Sequence, residues 1–466
     1  MTGIIWYRRD LRIADHLGLA SASQLCDAVL PVYILSKWNQ HHNWTGSKRQ
    51  QFLCDCLASL SAGLRELGGR LIIRSGSALD AIRTLIIESR AEILFLQKAL
   101  DPHGRKVEAD ITTMCAAMGV KVHSFQDACL LDPDEVLTAE NKPYRVYTPF
   151  SKNWLAREKS KPVPTIASLR TPPDIASEDL PTLATWGLSF ENRLQIAAGE
   201  NASQHRFEIA LQERIGQYHD FRDIPAVTGT SRISQDLRFG LISLRSIAVR
   251  LSDAMKNASP AEKTGIHTFL KELAWRDFYF AILSHFPEVL HEEFAPQWRG
   301  LPWDEPDEKL LAWQSGTTGF PIVDAGMREL LATGFMHNRV RMITSMFFTK
   351  DLHYDWRIGE SWFMQHLLDG EIASNNGGWQ WSAGTGADAA PYFRIQNPWT
   401  QTARYDPDGI YIKRWIPELA KVDARSFYSP PSNRPLAPDY PLPILNHDTE
   451  RLRCLEIFKH HKARQQ

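Results

Sequence analysis

The spacing of apolar residues changes character once along this chain, and that change constrains the fold more tightly than any other feature. From residue 3 to about 130, short runs rich in Ile, Val and Leu (4–7, 28–35, 70–74, 92–96 and 120–123) alternate with helical patterns. Strands that are apolar throughout must be covered on both faces, as happens in a parallel sheet with helices on either side. Beyond residue 200 only the helical period remains, as in 202–219, 263–285, 323–331, 338–350 and 362–368. Between 130 and 190 lie eight prolines with weak periodicity. The expectation is an α/β N-terminal domain with a doubly wound, Rossmann-like parallel sheet (1–130), a long connector (131–200) and a large all-α C-terminal domain (201–466). None of the strand-to-helix turns carries GxGxxG, and GxxxxGK[ST] is absent, so the usual dinucleotide and phosphate loops are missing.

The chain has 466 residues, 43% of them apolar and 23% charged, which excludes a disordered, collagenous or coiled-coil protein. Its formal charge is −1, divided as +3 for residues 1–130 and −4 for the rest. Neither part is basic enough to coat nucleic acid by bulk electrostatics. No run approaches the ~18 apolar residues of a membrane span, and Arg8, Arg9 and Asp10 come too early for a secretory signal. A soluble, cytoplasmic chain is expected. The six cysteines form no CxxC pair, no HExxH occurs, and the doublets His41-His42 and His460-His461 stand alone, so no metal site is expected. Fifteen residues are Trp, and ten of these fall between 275 and 415. That clustering requires an account.

Four segments could carry chemistry. Gly229 to Ser234 sets three hydroxyls and Arg232 around a helix start, which suits either a phosphate or a simple Ser/Thr cap. In 271–279, Glu272, Trp275, Arg276 and Tyr279 recur at intervals of three and four and share a helix face, either a packing seam or the wall of a polar, aromatic pocket. In 336–342, Asn338, Arg341 and Met342 share a face while Arg339 points elsewhere, and His337 reads as structural. The stretch 368–381 crowds two carboxylates, three amides and two indoles around glycines, poor composition for a helix interior. Asp369 and Glu371, two apart on an expected loop, are weak candidates for an acid/base pair, and binding of a planar, hydrogen-bonding group suits the stretch better.

Taken together, WYRRDLR at 6–12, TSRIS at 230–234, LRFG at 237–240, ELAWRDFY at 272–279, MHNRVRM at 336–342 and NNGGWQW at 375–381 resemble the photolyase/cryptochrome family, nearest to class I cyclobutane pyrimidine dimer photolyases. The resemblance covers essentially the whole chain. It implies an α-helical domain that holds FAD, with Tyr218, Thr230, Ser231, Arg232, Ile233 and Ser234 on the phosphates and ribityl chain. Arg276, Arg341, Asp369, Gly370 and Glu371 line the isoalloxazine, Asn375 sits near its N5, and Glu272 and Asn338 also border the cofactor. Glu371 stands where the family more usually has Asp.

The implied reaction is light-driven repair of UV-damaged DNA. Excited reduced, anionic FAD gives an electron to a pyrimidine dimer, the cyclobutane bonds break and the electron returns. The dimer leaves the base stack to be reached, at a cost lowered by its poor stacking. By resemblance Trp275 and Trp381 form apolar walls for it, Glu272, if protonated, donates to its carbonyl, Asn338 adds a polar contact and Met342 packs against it. Trp303, Trp356 and Trp379 match the chain of electron carriers that photoreduces oxidised flavin. Arg222, Arg339 and Arg394 match positions that meet DNA phosphates.

A monomer without membrane contact is implied, associated with the nucleoid if bacterial. A cryptochrome-type blue-light sensor is the rival reading, but it need not keep Glu272, Asn338, Met342 and Trp381 together. A (6-4) photolyase is expected to carry histidines at Asn338 and Met342. For a second, antenna chromophore, Asp101-Pro102-His103-Gly104-Arg105 resembles the deazaflavin-using branch more than the folate-using one, where Asn-Glu would replace His103-Gly104.

Overall fold

A computed structural model describes residues 1–36, 44–189 and 194–464, so the His41-His42 doublet lies outside the described residues. The first part of the chain alternates β1 (Thr2–Tyr7), α1 (Leu17–Leu25), β2 (Ala28–Leu35), α2 (Ser47–Glu66), β3 (Ile72–Ser75), α3 (Ala78–Ser89), β4 (Ile93–Gln97), α4 (Pro102–Ala117) and β5 (Lys121–Phe125). Helices follow: α5 (Tyr147–Ala156), α6 (Glu200–Glu213), α7 (Tyr218–Phe221), α8 (Ser234–Phe239), α9 (Leu244–Asn257) and α10 (Pro260–His285). The rest comprises α11 (Glu308–Ser315), α12 (Pro321–Thr333), α13 (Asn338–Lys350), α14 (Trp356–His366), α15 (Ile372–Ala383), α16 (Pro398–Tyr405), α17 (Ile410–Trp415) and α18 (His447–Arg464). The chain divides into two compact units, one of residues 1–144, 148–216 and 231–287, the other of 145–147, 217–230 and 288–466.

In the first unit the five strands are all parallel, in the order β3-β2-β1-β4-β5, with Ile5 opposite Pro31 and Phe95. Each expected strand is present within two residues of its bounds; β1, β2 and β4, in the interior of the sheet, are buried nearly throughout and leave uninterrupted apolar runs, whereas the edge strand β5 is only partly buried. The strand order reverses at β1, and the crevice beyond the carboxyl ends of β1 and β4 is where open α/β sheets take ligands. Asp101 caps α4 there, accepting from the Gly104 N–H at 2.8 Å. Of the stretch 131–200, residues 169–178 lie along the sheet: Val29 N–H donates to Arg170 O (2.8 Å) and Glu178 N–H to Ile73 O (3.0 Å). Proline limits its regular structure without freeing it from the sheet.

The 26-residue α10 begins with a Ser259–Glu262 capping box and Pro260 in its first turn. Deeper along it, Asp277 Oδ2 accepts from Leu130 N–H (2.9 Å), Leu131 N–H (3.2 Å) and the Trp154 indole (2.9 Å), which fixes α10 against α5 and the segment after β5. In the second unit, a core built from α11 to α17 surrounds Trp313, Phe347, Phe348, Trp356, Phe363 and Trp379.

Candidate active site

On α10 the sequence-predicted face is real. Leu273, Ala274, Asp277 and Phe278 are buried, whereas Glu272, Trp275, Arg276 and Tyr279 are each half-buried. The Trp275 ring packs on Phe278 (5.7 Å between centroids) and Tyr279 (5.6 Å). Arg276 donates to Ala128 O at 2.5 Å and lies over the Phe280 ring at 4.6 Å, so its direction is set by its own unit. At 231–234 the Ser/Thr cap alternative fails: α8 is capped by Ile233 with no side-chain bond to its first turn. Arg232 takes a left-handed backbone (φ 59°), held by Gln235 Nε2 donating to its carbonyl at 2.8 Å. A non-glycine residue in that region costs free energy and marks a place the fold over-determines.

The remaining predicted residues belong to the second unit, among them Tyr218, buried, and Arg222 and Thr230, both half-buried. His337 is structural as read, capping α13 by accepting from Arg339 N–H (3.2 Å). Asn338 is exposed in the first turn, and Arg341 and Met342 follow, half-buried. Arg341 donates through one nitrogen to both oxygens of Asp369 (2.9 and 3.1 Å) and through Nε to Met336 O (2.7 Å). Arg339 is ion-paired with Asp223 at 2.8 Å and lies over Tyr405, whereas solvent or phosphate was the expectation; Arg394 is exposed.

The loop expected over 368–381 is in large part the helix α15. Its amides explain the reversal. Asn375 Nδ2 donates to Glu360 O (3.0 Å), Asn376 Nδ2 to Val289 O (3.0 Å) and Gln380 Nε2 to Val289 O (2.8 Å). Side chains that would compete with the helix's own hydrogen bonds are directed to other segments instead. Gly370 precedes the helix and is buried, and Glu371 is its N-cap residue without a side-chain cap bond. Asp369, Glu371 and Asn375 thus bring two carboxylates and an amide, each less than a tenth exposed, to one end of α15 beside a guanidinium. That donor and acceptor set fits the alternating N–H and carbonyl edge of an isoalloxazine ring.

Trp379 and Trp356 lie in one aromatic core, with Trp303 packed against it. Trp379 meets Phe363 (5.0 Å), Phe348 (5.5 Å) and Trp313 (6.1 Å) edge-on. It also covers α14 at Gly359, where a Cβ would stand 2.1 Å from its Cη2, three residues from Trp356. Trp356 is fully buried, and its Nε1 donates to Glu293 Oε1 at 3.2 Å. Trp381 remains half-buried. Sequence reasoning missed Trp313, Gly359, Glu293 and Glu360; no periodicity links residue 293 to 356, and only the Trp excess pointed toward Trp313. Among the described residues no cluster of His, Cys, Asp and Glu could hold a metal ion, and all six cysteines are free thiols.

Comparison with known proteins places the chain in a family. Residues 269–460 match the FAD binding domain of DNA photolyase, and residues 3–168 match the DNA photolyase domain. The chain is 35% identical to the deoxyribodipyrimidine photo-lyase of Synechococcus sp. over 99% of its own length and 97% of that protein's. It superposes on a bacterial class III photolyase from Agrobacterium tumefaciens with a TM-score of 0.92 at 34% identity, covering 99% and 98% of the two chains. A Synechocystis cryptochrome gives 0.90 at 27% identity, with 98% and 99% covered. With both halves matched and a full-length relative at this identity, the chain belongs to the DNA photolyase family.

Proposed function

We propose that this protein is a lyase that splits cyclobutane pyrimidine dimers in UV-damaged DNA using light, with FAD as its redox cofactor. The observation that carries the reading is the buried end of α15, where Asp369, Glu371 and Asn375 stand with Arg341 beside a core containing Trp356 and Trp379. When bound and reduced, FAD supplies the light-excited electron donor. Asp369 neutralises Arg341, Glu371 offers an acceptor to a ring N–H, and Asn375, oriented by the Glu360 carbonyl, presents a fixed amide. Tyr218 and residues 230–234 bind the remainder of the cofactor. Trp275 and Trp381 exclude water from the flipped dimer, and Met342 packs on it. Glu272, protonated, donates to a dimer carbonyl whose charge grows as the electron arrives, and Asn338 adds a second polar contact. Trp303, Trp356 and Trp379 carry electrons inward to keep the cofactor reduced.

Because a cryptochrome shares the fold, residues and not architecture favour repair over sensing: Glu272, Asn338, Met342 and Trp381 occur together. Class I is nearest by motif, while the similar Agrobacterium structure is a class III enzyme, and the proposal of dimer splitting makes no choice between them. The protein acts as a monomer, and no described helix is long and apolar enough to cross a membrane. A deazaflavin antenna is proposed from the run Asp101 to Arg105, which forms the first turn of α4 at the sheet crevice. An absorption spectrum of protein purified from its own host identifies it.

Illumination of the reduced protein with a dimer-containing oligonucleotide tests the main reading by counting restored pyrimidines. Glu272→Ala and Trp381→Ala are each expected to lower turnover at least about tenfold, as for loss of one transition-state contact; unchanged turnover in both overturns dimer repair. Trp303→Phe is expected to block photoreduction of oxidised flavin while chemically reduced protein still repairs. Photoreduction at full rate in that variant reduces Trp303 to packing.

A further inference from the structure

We infer that Glu293 is a positioning residue that makes Trp356 the more easily oxidised neighbour of Trp379, so that an electron vacancy created at Trp379 moves outward. The inference rests on the reading of Trp379, Trp356 and Trp303 as an electron chain. The two inner indoles occupy opposite electrostatic settings. Trp379 is walled by Trp313, Phe348 and Phe363, and its Nε1 has no hydrogen-bond partner among the described residues. Trp356 is equally buried, but its Nε1 donates to the Glu293 carboxylate, whose side chain is 4% exposed.

A guanidinium opposes that carboxylate. Arg357 lies over the Trp356 ring, 4.5 Å from its centroid, and donates to Glu293 Oε1 at 3.2 Å. The same Arg357 nitrogen donates to the more exposed Asp355 at 3.0 and 3.1 Å, and its Nε and second nitrogen hold His291 O. A cation over a ring favours the neutral indole, and a radical cation beside it is repelled. Glu293 reverses this balance, since a carboxylate in contact with the N–H stabilises positive charge on the ring strongly where water is excluded. The step is one electron passing from Trp356 to oxidised Trp379. Trp379 returns to neutral, Trp356 becomes a radical cation, no bond breaks, and the proton stays on Nε1 in its hydrogen bond to Glu293.

Flash excitation of the FAD-bound, oxidised protein, followed by transient absorption of the tryptophan radical, tests this alongside the yield of photoreduction. Glu293→Gln keeps volume and an acceptor oxygen but removes the charge, and it is expected to shorten the radical's lifetime and lower the yield at least about tenfold. Arg357→Gln has the opposite expectation, a longer-lived radical. The double variant is expected to return most of the way to wild type, which a packing role could not produce because two cavities or lost bonds add. Wild-type behaviour of Glu293→Gln, or a double variant worse than either single one, overturns the inference. If Glu293→Gln does not fold, a shorter radical lifetime in Arg357→Gln overturns it. Trp356→Phe separates the two readings. Normal photoreduction there ends the electron chain and this inference together, whereas its loss with Glu293→Gln unaffected ends only the role of Glu293.

Discussion

A carboxyl group deprived of water holds its proton more tightly, and Glu360 is such a group. Burial pushes its pKa up to about 8, against the smaller opposing effects of the Asn376 hydrogen bond and the Arg357 charge. Unfolding returns it to the ordinary carboxylate range. The native state therefore holds a proton that the unfolded chain has released between about pH 4.5 and 8. The stabilisation is complete at the lower end of that window and declines as pH rises through it, by up to about 1.4 kcal/mol per pH unit. Denaturant unfolding between pH 5 and 9 is expected to show this slope in the wild type and a flatter one in Glu360→Gln. An identical slope in both would assign the pH dependence to other groups. Nothing in the sequence marks Glu360, because its backbone carbonyl fixes Asn375 and its side chain is enclosed only once α14 and α15 pack.

Helix α14 contributes through a residue it lacks. At Gly359 an added methyl would overlap the Trp379 ring, and that ring cannot retreat, being held edge-on by Phe348, Phe363 and Trp313. Gly359→Ala is therefore expected to destabilise the protein by about 1–3 kcal/mol, the usual cost of overpacking a filled core, even though alanine is the better helix former. A stability equal to or above wild type in urea would mean that the Trp379 contact relaxes freely. Helix α15 teaches the complementary lesson. Its two Asn and two Gly argue for a loop by propensity alone, yet Asn375 and Asn376 find partners on Glu360 and Val289, and Gln380 on Val289 and Glu292, all outside the helix. By contrast the bounds of α13 are legible from the helical period alone, from Asn338 to Lys350.

For the molecule as a whole, a net charge of −1 excludes a nucleic-acid coat while permitting a local rim of arginines. The three proposed phosphate contacts through Arg222, Arg339 and Arg394 would give a slope of log affinity against log salt of about −3, reduced to the extent that Arg339 must leave Asp223. Binding of dimer-containing duplex between 50 and 200 mM salt measures it, and a slope near −10 would require many more basic contacts than the proposal contains. The apolar runs were enough to specify the parallel sheet, because burial of β1, β2 and β4 on both faces writes itself into consecutive residues. The linear motifs likewise carried the family and its candidate residues. What only the tertiary structure decided was the environment of those residues: the pairing of Arg341 with Asp369, the carboxylate and guanidinium around Trp356, the proton on Glu360 and the helical state of 372–383. Local patterning is a property of neighbours along the chain. Desolvation and charge contact depend on groups that meet only after the chain has folded.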